Sequence, residues 1–220
     1  RRAFQRFERL LPESWDIASI DLLGHGDAPH RKHGYSLEHH AAWIEQQVQD
    51  SAPVVLVGHS YGAATSVAVA ARSPQLATAI VLLDPVVREP GQGLGAKAER
   101  IIAGRRAGSL PAVIAAEYPD ASPALQAWTV ETWTRMSLGV VDELDLDWTR
   151  LADRVTCPVS IIHGELELGG AGDLSADWFH DPLVTCIEGA GHYLHATHAR
   201  EVADAVAGHV SAMLPVPARD

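Results

Sequence analysis

The stretch that most constrains this chain is Pro53 to Ala71. A short apolar, β-branched run, Pro53-Val54-Val55-Leu56-Val57, leads into Gly58-His59-Ser60-Tyr61-Gly62 and then into the helix former Ala63-Ala64-Thr65-Ser66-Val67-Ala68-Val69-Ala70-Ala71. The pattern reads as a buried strand, a sharp turn and a helix, with G-x-S-x-G at the turn. Such a turn forces its serine into a strained backbone conformation, and small neighbours let strand and helix approach closely, so both glycines have a physical job. Ser60 is expected to stand exposed at the top of the sheet. The Tyr61 backbone N–H, at the start of the helix, is expected to point toward developing negative charge. The same pentapeptide also arises by chance as a Gly-rich connection, so the reading depends on what surrounds it.

What surrounds it is an alternation of helices and strands. Phe4, Phe7, Leu10 and Leu11 recur at helical spacing until Pro12 stops the run. Residues 16–21 read as a strand, Leu22 to Pro29 as a tight loop at its carboxyl end, and Ser36 as the N-cap of a helix reaching about Gln49. After the helix over 61–72 comes the continuous apolar strand 78–83, ending in Asp84-Pro85. Strands that are apolar without alternation, separated by helices, predict an α/β fold: a mostly parallel sheet covered by helices on both faces.

Residues 88 to about 150 break the rhythm with Ala-, Glu- and Arg-rich helical stretches interrupted by Pro111, Pro119 and Pro123. Leu125, Trp128, Thr132, Trp133 and Met136 fall on one helical face. We read 88–150 as a helical lid inserted into a core formed by 1–87 and 151–220. Packing accounts for most of the tryptophans; Trp128 and Trp133, with His59, are candidates to line a substrate pocket. The rhythm resumes with strands 159–163 and 183–187 and a helix from 199 to about 213, which Pro215-Val216-Pro217 cannot continue.

Charge narrows the partners. With 28 acidic against 17 basic residues the formal charge is −11, and no Lys/Arg-rich run is present, so a nucleic-acid backbone or an anionic membrane surface would be repelled and a small molecule is expected. Cys157 and Cys186 lie in apolar stretches that read as strands, which predicts buried thiols rather than a disulfide framework. No apolar run is of membrane-spanning length and no signal peptide is evident, so a cytoplasmic monomer or homodimer is the expectation. The first residues, Arg1-Arg2-Ala3-Phe4, carry no initiator methionine and read as the middle of an amphipathic helix.

A serine hydroxyl is a poor nucleophile at neutral pH. It needs an imidazole to take its proton, and the imidazole needs a carboxylate to fix its tautomer. His192, in Gly189-Ala190-Gly191-His192 directly after the last predicted strand, falls at the same sheet edge as Ser60. Carboxylates on comparable loops are Asp84, Glu165, Glu167 and Asp173.

Taken together, Asp21-Leu22-Leu23-Gly24-His25-Gly26-Asp27, the pentapeptide Gly58 to Gly62, and Gly189 to His192 resemble the α/β-hydrolase family over nearly the whole chain. The resemblance implies Ser60 as nucleophile, His192 as general base and then acid, and the Tyr61 amide as one oxyanion donor. It implies an acid three residues past a glycine after the penultimate strand. Counting from Gly164, that residue is Glu167, with Glu165 and Asp84 as alternatives. The family's third strand, which ends in a His-Gly motif and supplies the other oxyanion amide, has no counterpart in residues 1–15. The expectation is an N-terminal segment carrying the early strands, and direct pairing of 17–21 with 54–57 would speak against it.

The expected activity is hydrolysis of a small carboxylic ester, thioester or lactone through an acyl-enzyme, with no cofactor. C–C bond hydrolysis, lyase or haloperoxidase-like chemistry stays open on the same scaffold, as does a non-catalytic ligand-binding homologue. Serine rather than aspartate at the elbow argues against dehalogenase or epoxide hydrolase chemistry. His192, His195 and His198 are spaced three apart, with His39, His40 and His163 elsewhere, but no H-E-x-x-H accompanies them and no metal site is assigned. His25 and His59 read as loop residues that hydrogen-bond near the site.

Overall fold

Alternate residues of the central strands face two separate apolar cores, and this sorting organises the fold. The computed structural model describes residues 2–87, 96–119, 121–144, 146–171 and 176–214. In chain order the elements are α1 (Gln5–Glu8), α2 (Leu37–Val48), β1 (Val54–His59), α3 (Tyr61–Arg72), β2 (Ala77–Leu83), α4 (Ala96–Arg106), α5 (Leu110–Glu117), α6 (Pro123–Arg135), α7 (Leu138–Asp142), α8 (Thr149–Ala152), β3 (Val159–Gly164), β4 (Leu183–Ile187), α9 (Leu194–Thr197) and α10 (Ala199–Met213). The strands form one sheet in the order β1-β2-β3-β4, each pair parallel. Ile80 and Leu82 of β2 join Val159 and Ile161 of β3 in a core with α2 and α3. Val81, Leu83 and Ile162 face the opposite core, shared with Phe7 and with Val202, Ala203 and Val206 of α10. Helices therefore cover both faces, as the non-alternating apolar strands require.

Local signals set the boundaries. The Ser36 hydroxyl accepts from the His39 N–H at 3.4 Å and caps α2, satisfying one of the amides that a helix leaves open at its first turn. Helices α4 to α8 occupy the sequence between β2 and β3. The buried face of α6 carries Thr129 and, just past its end, Met136, while Thr132, assigned to that face by spacing, is exposed. Trp148, just before α8, ties this segment to the body: it is fully buried, stacks on Phe179 at 5.6 Å and donates its indole N–H to the Val86 carbonyl at 3.0 Å.

Two expectations need correction. Residues 16–21 form no strand, because a strand exists only through a ladder partner, and none pairs with them among the described residues. Asp16 to Ala18 are exposed, and only Ile20 and Leu22 reach the core. They do not pair with β1, which is an edge of the sheet. Cys186 is exposed on the edge strand β4 and Cys157 lies half-buried in a bend, so neither is a buried strand thiol. Asp173 and the tail Pro215-Val216-Pro217 lie outside the described residues.

The elbow depends on one of its two glycines. A Cβ on Gly58 would lie 2.2 Å from the Gly62 carbonyl oxygen and 2.7 Å from the Ala63 nitrogen, whereas a Cβ on Gly62 meets nothing within 4 Å. The obstacle at Gly58 is backbone, which cannot swing aside. Gly58→Ala is therefore expected to lose about 3 kcal/mol, the upper end of overpacking costs. Gly62→Ala should stay within about 1 kcal/mol of the parent. Urea unfolding of both variants checks the contrast, and equal losses would refute it.

Candidate active site

The parallel register brings the carboxyl ends of the strands level, and the ladder continues one residue past them: Ser60 N–H donates to the Leu83 carbonyl at 3.0 Å and Asp84 N–H to the Ile162 carbonyl at 2.8 Å. Both residues leave their strands with positive φ, 54° at Ser60 and 45° at Asp84. Such backbone is costly for a non-glycine residue and persists only where the surroundings enforce it. At Ser60 the enforcing element is the close strand-to-helix crossing at Gly58. At Asp84 it is a set of hydrogen bonds.

Asp84 is fully buried. Its Oδ1 accepts from the Gly164 N–H at 2.8 Å and the Ala171 N–H at 2.9 Å, which leaves Oδ2 to His192 Nδ1 at 2.6 Å. On the other side of the ring, His192 Nε2 lies 3.1 Å from Ser60 Oγ. A carboxylate oxygen accepts, so the Nδ1 proton points at Asp84 and Nε2 is left to accept from the serine hydroxyl.

The structure thus brings Ser60 and His192 together and couples them to Asp84, the alternative acid, and not to Glu167. Glu167 sits exposed on the single turn Leu166–Leu168. Glu165 binds the histidine loop from outside, its carboxylate accepting from the Gly189 N–H at 2.9 Å and its own N–H donating to the Ala190 carbonyl at 2.7 Å. The reason is packing. The loop after β3 packs backbone against backbone on the histidine loop: a Cβ on Gly164 would lie 2.5 Å from the Ala190 oxygen, and one on Gly191 2.3 Å from the Leu168 oxygen. The two loops thus meet backbone to backbone, and the loop after β3 supplies amides to Asp84 rather than an acid to His192.

The other candidates have distinct surroundings. His59 Nε2 donates to the His192 carbonyl at 2.7 Å. Its ring lies 4.7 Å from that of His192 and 4.3 Å from that of His195, and burial, helped by those two rings, holds its pKa well below the ordinary histidine value. His195 is 2% exposed and stacks on Phe4 at 4.9 Å; burial first, then His192, lowers its pKa to about 4. Trp128 meets Tyr193 edge-on at 6.3 Å, and the Tyr118 and Tyr193 hydroxyls lie 3.2 Å apart, their pKa values raised chiefly by burial. Trp133 instead packs between two apolar clusters, one around Leu23, Tyr35 and Val140 and one around Ile101 and Ile114. Its pocket assignment gives way to core packing. His25 Nδ1 donates to the Leu23 carbonyl at 3.0 Å, within its own loop.

The remaining histidines disperse. His39 pairs with the Ser36 hydroxyl, His163 with the Gly164 carbonyl and His198 with Thr197, and among the described residues no three metal-ligating side chains converge. Tyr118 and Tyr193, 75 residues apart, were invisible to sequence reasoning, since neither belongs to a motif. Among the described residues no helix is long and apolar enough to cross a membrane.

Known proteins place this geometry in context. The chain is 31% identical over 147 residues to Lipase LipV of Mycobacterium tuberculosis, a match covering 66% of this chain and 51% of that protein, so it spans about half the length of that relative. Its fold is similar to that of a bromoperoxidase from Bacillus anthracis, with a TM-score of 0.79 at 19% identity over 96% of this chain and 87% of the other. It is equally similar to the esterase EaEST from Exiguobacterium antarcticum, with a TM-score of 0.79 at 17% identity over the same shares. At such identities these two structures speak for the fold alone. The model of the alpha/beta hydrolase family matches residues 1–205. This chain, with its elbow serine at the end of a parallel strand, belongs to the alpha/beta hydrolase family.

Proposed function

We propose that the protein is a serine hydrolase cleaving a small carboxylic ester, thioester or lactone through an acyl-enzyme, with Ser60, His192 and Asp84 as its triad. The observation that carries this reading is the unbroken chain from Ser60 Oγ through His192 to Asp84, 3.1 Å on one side of the ring and 2.6 Å on the other. His192 Nε2 takes the hydroxyl proton as Ser60 Oγ attacks the acyl carbonyl. Asp84 holds the ring in orientation and stabilises the imidazolium that forms. The Tyr61 amide, at the amino end of α3 beside Ser60, serves as an oxyanion donor. His192 then protonates the leaving group, and a water activated by the same nitrogen releases the acid and restores Ser60. No cofactor takes part in this sequence. Helices α4 to α7, within 88–150, serve as a lid over the site, a role supported by Tyr118 and Trp128 of that segment meeting Tyr193 beside His192. That the 31% identical relative is named a lipase supports an ester as the substrate class.

Intact-mass analysis after incubation with a fluorophosphonate, on the parent and on Ser60→Ala, tests the reading. One adduct on the parent and none on the variant are expected, and an ester panel then identifies the acyl group. Folded parent that takes up no adduct would overturn the reading and favour a ligand-binding homologue.

A further inference from the structure

Ser60 and His192 are 132 residues apart, and their side chains meet through one hydrogen bond of 3.1 Å. A second bond joins the same loops. His59, the residue immediately before the nucleophile, reaches across to the backbone carbonyl of His192 at 2.7 Å. We propose that His59 is a positioning residue that clamps the histidine loop to the elbow and so sets the distance between His192 Nε2 and Ser60 Oγ; this rests on the triad reading above.

The direction of the bond is fixed by chemistry. A carbonyl oxygen can only accept, so His59 Nε2 must carry a proton. Burial keeps the ring neutral, so its single proton is committed to this bond. The ring cannot turn away freely, because it lies between His192 at 4.7 Å and His195 at 4.3 Å, and His195 is itself held by Phe4 at 4.9 Å. The clamp acts on the main chain of His192, whereas Asp84 acts on its ring. The two restraints act on different parts of the residue: Asp84 sets the tautomer and the plane of the imidazole, and His59, beside the Glu165 bonds to Gly189 and Ala190, holds the loop toward the serine.

A general base displaced by a fraction of an ångström loses rate without losing ground-state binding, which gives the test its form. His59→Met fills the space but has no donor, and His59→Gln restores an N–H at about the reach of Nε2. Three quantities are read on each: the rate of fluorophosphonate labelling, kcat and KM on an ester the parent turns over, and the proton NMR resonance of the His192 Nδ1–H. His59→Met is expected to lower labelling and kcat about ten- to hundredfold with KM within twofold, and to broaden or lose the imidazole resonance. His59→Gln is expected to recover most of both.

Folded His59→Met that labels and turns over like the parent would overturn the proposal, as would Gln and Met variants equally impaired. Should the Met variant fail to fold, a folded Gln variant with parental labelling and resonance supports the clamp, and one that has lost both refutes it. A parent that does not label at all would remove the triad reading; the resonance alone would then decide the clamp.

Discussion

Asp84→Asn should lower kcat about ten-thousandfold, with the protein folded and KM little changed. The amide's NH₂ can be turned toward His192, which then holds the tautomer with its proton on Nε2 and cannot accept from Ser60; loss of the orienting carboxylate in a serine triad has about this effect. Oδ1 of the asparagine can still accept from Gly164 and Ala171, as that of Asp84 does at 2.8 and 2.9 Å, so the turn is retained. Asp84→Ala would add a loss of stability, because the buried Gly164 amide loses its acceptor at a cost of about 1–3 kcal/mol and the half-buried Ala171 amide loses its own. Glu167→Gln is the matched control, expected within twofold of the parent because Glu167 is exposed on its turn. Steady-state kinetics on the ester found by the panel, with labelling rates beside them, distinguish the two. A large loss at Glu167 and a small one at Asp84 would reverse the assignment.

Stability should fall steeply between pH 6.5 and 4. His40 is fully buried among Tyr35, Tyr61 and His25, and burial, followed by the neighbouring His25 and His39, lowers its pKa to about 4 against weak opposition from the Tyr35 backbone and Glu143. His195 is depressed to the same range. Above pH 6.5 both are neutral whether the chain is folded or not, and they contribute nothing to the pH dependence. Below it the unfolded chain binds a proton at each site and the folded chain does not. Unfolding is thereby favoured by up to about 1.4 kcal/mol per pH unit for each histidine, until the folded protein titrates near pH 4. Together they remove several kcal/mol, a large share of the ~5–15 kcal/mol that holds a typical domain. His25 and His59, also depressed by burial, act in the same direction. Glu143, held below the ordinary carboxylate range first by the Tyr35 N–H, and also by the Gly34 N–H, adds stability that is lost below about pH 4.5. Urea unfolding across this range, on the parent and on His40→Leu and His195→Leu, measures the effect. The expected result is a shallower profile in each variant, and a parental profile flat from 6.5 to 4 would contradict the burial argument.

What could be read from the sequence was what neighbouring residues decide. The elbow, the capped helix after Ser36 and the strand before Asp84 each rest on a few adjacent side chains, so their boundaries in the structure lie close to those read from the chain. The partner of His192 could not be found that way. It depends on which strand end lies level with which loop, and on the backbone packing of Gly164 against the histidine loop. Asp84 had a signal, an acid followed by proline at the end of an unbroken apolar strand, but a cap before proline reads the same. The error at residues 16–21 has a related cause: apolar residues there mark proximity to a core, whereas a strand also needs a neighbour. Trp133 shows the limit of composition, since an apolar ring on a helix face fits a pocket wall and a packed cluster equally well.

Trp148 fastens the helices between β2 and β3 to the body of the fold. Its indole is anchored in the body by Phe179 and reaches back to the carbonyl of Val86, two residues past Asp84. It is one of several fastenings: Ser137 N–H donates to the Gly24 carbonyl at 2.7 Å, Glu143 accepts from the Gly34 and Tyr35 amides, and Tyr118 meets Tyr193. Gly164, Ala171 and His192, which hold Asp84, all lie outside that segment. Substitutions on the exposed side of the segment, as at Glu131 and Thr132, can therefore accumulate without touching the bonds that align Asp84.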